Sequence, residues 1–125
     1  MEAVPPDEVE ENPPTHIVAQ LKQRFPDRSL HCVEMTSGSG AVLVFVMTGP
    51  TRAEWKKYRN EINAATGDID KIEGAIERGA LAQIRWPERD TVKEMFDAHP
   101  GIIQHFNAEL AKLADAEVEV RTKKL

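Results

Sequence analysis

The chain has 125 residues, a mass of 14.0 kDa, 41% hydrophobic and 30% charged residues, and a net charge of −5. That is one domain's worth of chain, apolar enough to bury a core. Its longest apolar run, 41–47, falls short of the roughly 18 residues of a membrane helix, and no charged stretch followed by an apolar one marks a secretory leader. A single cysteine excludes an internal disulfide and a cysteine-rich zinc site, so a cytoplasmic protein is expected.

Residues 1–14 read as a disordered acidic arm. Glu2, Asp7, Glu8, Glu10 and Glu11 carry the whole net charge, and Pro5, Pro6, Pro13 and Pro14 leave little to bury. The rest of the chain balances 16 acidic against 16 basic residues, with none of the basic excess usual for nucleic-acid binding.

Ile17, Val18, Leu21 and Phe25 predict a helix over 15–25, with Thr15 as its cap and Pro26 as its stop. Two strands follow, 29–36 and 41–48, joined by the turn Ser37–Gly40. The second is apolar on both faces, a pattern of strands covered on both sides. A two-stranded hairpin is marginal alone, so something must extend it or pack on it.

After Gly49-Pro50, Thr51 and Glu54 have capping-box spacing and start a helix that ends near Thr66-Gly67. On it Trp55, Tyr58 and Ile62 make one stripe, while Arg52, Lys56 and Arg59 make another. Asp68 caps a helix over 69–85. Trp86-Pro87 breaks it, and further helices are predicted over 89–98 and 101–114, parted by His99-Pro100-Gly101. Val118 and Val120 alternate with Glu117, Glu119 and Arg121, so 117–121 reads as a possible third strand closing on the hairpin. Residues 122–125 are expected to fray. The order gives an α+β fold: an N-terminal helix and β-hairpin packed on a bundle of short helices, one domain over 15–121.

Chemical motifs are sparse. His16, His31, His99 and His105 lack metal-ligand spacing, and adjacent His31 and Cys32 point to opposite faces of a strand. Cys32 has no base in a recognisable motif and is expected in the core. The Ser37–Gly40 glycines join two strands, unlike a phosphate loop, which joins a strand to a helix. Asp68 with Asp70, and Glu88 with Asp90, lie at helix starts, where carboxylates cap. No metal, cofactor or catalytic residue is assigned.

The stretch Pro-Thr-Arg-Ala-Glu-Trp-Lys-Lys-Tyr-Arg (50–59), the step Trp86-Pro87, the break Pro100-Gly101 and the helix end Ala-Glu-Leu-Ala-Lys-Leu-Ala (108–114) form a familiar order. Over about residues 18–114 it resembles small tail-assembly chaperone-like proteins of long-tailed bacteriophages and prophages. The acidic arm and the 117–120 stretch lie outside the resemblance.

The resemblance implies a non-enzymatic protein that keeps tail-tube or tape-measure subunits soluble before the tail polymerises. Such a protein needs an apolar groove for a client. Val44, Val46, Ile103, Phe106 and Leu110 are the candidate lining. One alternative is a virion structural subunit, a small neck or tail component whose two-sided strand pairs copy to copy. Another is a single-strand nucleic-acid binder using Arg52, Lys56, Lys57 and Arg59.

Overall fold

A computed structural model describes residues 12–116 and 118–125. The expectation for residues 1–11 of the acidic arm lies outside the described residues. The elements are α1 (Thr15–Arg24), β1 (Leu30–Thr36), β2 (Val42–Thr48), α2 (Arg52–Ala64), α3 (Ile69–Gln83), β3 (Ile84–Trp86), α4 (Arg89–Ala98), a 3-10 segment (Pro100–His105) and α5 (Phe106–Leu113). The fold is α+β, with a three-stranded antiparallel sheet in the order β1-β2-β3.

The sheet's third strand is β3, and residues 118–125 form no strand. Two expectations are corrected here. The helix over 69–85 stops at Gln83, where Ile84 turns extended, and the residue before Pro87, Trp86, is held extended by the proline ring. Ile84 and Trp86 then pair with Met47 and Val46 across a register irregularity. β3 thus occupies the open side of β2. The period-two tail keeps its pattern without a paired edge, and Val118 and Val120 are exposed.

β2 is the buried centre. Leu43, Phe45 and Met47 face the helices with Val33 of β1, and meet Tyr58, Ile76, Phe96 and Phe106. Phe45 and Phe96 each lie within 6 Å or little more of Phe106, at ring-centroid distances of 5.3 Å for Phe45–Phe106 and 5.6 Å for Phe96–Phe106, both edge-on. Each such pair contributes about 0.5–1.5 kcal/mol beyond area burial.

The opposite face carries Val44, Val46 and Thr48, also buried. Thr48 bonds Arg28 and Arg85, and the Arg85 guanidinium lies 4.4 Å over the Phe25 ring, so the end of α1 is held on that side. Burial on both sides is what the apolar pattern of β2 requires.

Local chemistry sets the helix ends. The Thr51 hydroxyl accepts from the Glu54 amide and the Glu54 carboxylate accepts from the Thr51 amide. The Asp68 carboxylate accepts from the Lys71 amide, and Gly67 takes φ +90 before it. Two expected caps differ. Pro14, not Thr15, is the α1 cap residue, because its extended φ and ψ place Thr15 inside the first turn. Glu88 stands at the α4 cap position without a side-chain cap bond. The expected helix over 101–114 divides at Phe106, because Pro100 and Gly101 open a tighter 3-10 turn that buries Ile102 and Ile103 together.

Candidate functional site

The five residues expected to line a client groove do not share a surface. Val44 and Val46 lie on one face of β2, and Ile103, Phe106 and Leu110 join the helical core on the other. All five are buried, the most exposed at 6%. They hold the fold together, and in this structure they offer nothing to a partner.

The residues Arg52, Lys56, Lys57 and Arg59 are exposed along α2. Their aromatic neighbours turn away. Tyr58 is buried and donates its hydroxyl to Asn107 Oδ1 at 2.6 Å, and Trp55 packs on Tyr58 at 5.7 Å between ring centroids. Burial pushes the Tyr58 phenol up to about 12. Of the four basic residues only Lys57 lines the same cleft as Trp55 and Tyr58, whereas a base-stacking platform interleaves basic and aromatic groups on one open face.

A cleft of about 180 Å³ lies between α2 and α3, lined by Trp55, Tyr58, Gly79 and Gln83. It is smaller than the roughly 300–1,000 Å³ of ordinary small-molecule sites. The Arg78–Glu61 ion pair, at 3.2 Å, belongs to its rim. Among the described residues no group of three or more His, Cys, Asp or Glu is placed to hold a metal ion.

A polar cluster missed by sequence reasoning sits where four segments meet. Arg28 Nη2 donates to Gly49 O (2.8 Å), Glu54 Oε1 (2.8 Å), Gln83 Oε1 (2.9 Å) and Thr48 Oγ1 (3.2 Å). Two N–H groups serve four oxygens, so these bonds are shared. Thr48, fully buried, donates to Gln83 Oε1 at 2.8 Å and accepts from Arg85 Nε at 3.2 Å. Burial alone would raise Glu54, but the Thr51 amide bond and the Arg28 charge outweigh it and hold its carboxyl low. Burial, then the neighbouring Arg28 charge, lowers Arg85. Among the described residues no buried side-chain polar atom lacks a partner, and these shared bonds make the cluster a clamp on the fold.

The surface that remains open is the outer edge of β1. Gly49 N donates to Ser29 O, and Ser37 N donates to Ala41 O. With the register Leu30↔Thr48 to Thr36↔Val42, alternation turns the backbone of His31, Val33 and Met35 toward β2. The N–H and C=O groups of Leu30, Cys32, Glu34 and Thr36 point outward. No strand lies beyond β1 among the described residues.

Beside this edge, between β1 and α5, runs a groove of about 290 Å³ lined by Met35, Ile102, His105, Ala108 and Glu109. Cys32, expected in the core, is exposed on the other face of β1 from this groove. It pairs with Val46 on the outermost strand, whose even-numbered side chains α1 leaves open to solvent at Cys32 and Glu34. Partial burial, and then the Glu34 charge, raise its thiol. The strand over 29–36 was expected from the sequence; its position at the rim of the sheet depends on where β3 pairs.

No family model matches the chain, and no curated protein or solved structure matches it.

Proposed function

We propose that this chain is a non-enzymatic association protein, of the kind that assists tail assembly in the long-tailed bacteriophages and prophages whose chaperone-like proteins it resembles. The observation that carries the reading is the seven-residue open edge of β1 flanked by a part-apolar groove. An extended segment of a tail-tube or tape-measure subunit can add there as a strand. Main-chain bonds to Leu30, Cys32, Glu34 and Thr36 give affinity, and every second side chain enters the groove. This replaces the apolar lining inferred from sequence, since those five residues are core. The place of action is the cytoplasm of the host, where tails polymerise.

The test is co-expression of the tagged chain with the neighbouring genes of its own source, followed by mass spectrometry of the eluate. Glu34→Pro removes one outward N–H and leaves the β1–β2 bonds intact, as proline at an edge position does. A tail subunit captured by the wild type and by Glu34→Ala, and lost with Glu34→Pro of unchanged circular dichroism, is the expected result. Equal capture by Glu34→Pro removes the edge from the mechanism.

A second reading, a small neck or tail subunit of the virion that forms homo-oligomers, is favoured by the strand-like tail at 118–121, whose valines have no cover on their own body.

A further inference from the structure

We infer that the β1 edge is taken by residues 118–124 of a second copy of this chain, so that two copies exchange their C-terminal segments. The inference rests on the second of the two readings above, in which copies of this chain associate, and it names the tail of a second copy, in place of a tail subunit, as the occupant of the edge.

Three observations on different parts of the molecule meet in it. The edge offers the outward backbone groups of Leu30, Cys32, Glu34 and Thr36, with no strand paired to them among the described residues. The tail has the pattern a half-buried strand needs, Val118 and Val120 against Glu119 and Arg121. On its own body it forms no strand, and those two valines are 69% and 81% exposed. A strand added at β1 sends alternate side chains into the groove at Met35, Ile102 and Ala108, where two valines fit, and the others to the side of Cys32 and Glu34.

Charge matches as well. Glu34, which makes no ion pair among the described residues, flanks the edge, as does Glu109, itself bridged to Lys112 at 3.3 Å. The tail carries Lys123 and Lys124 beside the Arg121–Glu119 pair at 3.3 Å, so its net charge is basic. Opposite charges on neighbouring strands favour the pairing, and like charges would oppose it. Each copy has one edge and one tail, so a reciprocal exchange closes as a two-fold dimer and leaves neither edge open.

Cys32 is the chain's single cysteine and serves as a fixed probe. Glu119→Cys, Arg121→Cys, Val118→Cys and Val120→Cys are made in the full chain, each retaining Cys32, and oxidised mildly at alkaline pH. The expected result is a covalent dimer on non-reducing gels from position 119 or 121, several-fold more than from 118 or 120, because only the former share the Cys32 side of the sheet. Light scattering shows a dimer for the wild type and a monomer for Val118→Asp/Val120→Asp of unchanged circular dichroism.

A disulfide formed within one chain overturns the second copy as occupant, as does equal cross-linking at all four positions. A wild type that stays monomeric at every concentration also overturns it. In that case, loss of tail-subunit capture with Glu34→Pro keeps the edge as a docking surface for another protein, and retained capture removes both readings.

Discussion

Gly79 faces the ring of Tyr58 so closely that a Cβ on residue 79 would lie 2.5 Å from Tyr58 Cδ1 and 3.1 Å from Leu110 Cδ1. The missing side chain is what lets α2, α3 and α5 meet. In an exposed helix, glycine to alanine gains up to about 1 kcal/mol. Here overpacking reverses the sign, and Gly79→Ala is expected to lose about 1–3 kcal/mol. Gly74 is the control on the same helix, because its added Cβ meets only the far end of Arg78 at 3.3 Å. Gly74→Ala should be stabilising. Urea unfolding midpoints of the two variants shifting in opposite directions is the expected outcome.

Tyr58 is the chain's single tyrosine, so its phenolate absorbance reports one group. Its folded value, pushed up to about 12, lies above the ordinary value of 10.0. Stability from the retained proton is therefore complete below about pH 10 and is lost as pH rises toward 12. Tyr58→Phe removes the bond to Asn107, costs about 1 kcal/mol near neutrality, and flattens the alkaline decline. A phenolate transition at the ordinary value would contradict this.

Arg28 is the hub of the polar clamp. Arg28→Ala leaves buried oxygens at Thr48 and Gln83 short of donors and is expected to cost about 2–4 kcal/mol. Arg28→Lys recovers only part of the loss, because an ammonium lacks the planar fork. Glu54 adds a pH dependence. Its carboxyl is held below the ordinary 4.5, so its contribution is present above that value and is lost as pH falls below it. That acid-side slope should be shallower in Arg28→Ala than in the wild type, read by thermal unfolding across a pH series.

The thiol of Cys32 is accessible, yet burial and Glu34 keep it protonated near neutral pH. Slow alkylation is expected, with a rate that climbs only on the alkaline side. Glu34→Gln removes the second of these effects. Its alkylation rate at a fixed mildly alkaline pH should rise, and an unchanged rate would exclude Glu34 as a cause.

The hairpin, the Thr51–Glu54 capping box, the Asp68 cap and the span of α4 were legible in the sequence because each is encoded within a few neighbouring residues. Four features were not. β3 is three residues long and lies where a helical spacing runs on, although Trp86-Pro87 carried the extended signal. Arg28 finds its partners 20 to 55 residues away, and no local pattern records such a meeting. The five apolar residues assigned to a groove satisfied the pattern of core and of docking surface equally. Burial decides between the two, and burial depends on which faces the helices and α1 cover. The open edge of β1 was hidden for the same reason, since an edge is defined by what fails to pair with it.

The link between Thr48 and Gln83 also sets an order on how the chain comes together. The β1–β2 hairpin closes over a turn of a few residues, a local and fast event. The buried Thr48 hydroxyl, however, waits for Gln83, 35 residues further along the chain, and the Val46 side of the sheet waits for Trp86, later still. A nascent chain emerging from the ribosome therefore holds a hairpin with an exposed polar end and an unpaired flank until α3 has been made. Its sheet reaches its final width in one late step, when the turn at Gln83–Ile84 brings the helix end and the third strand in together.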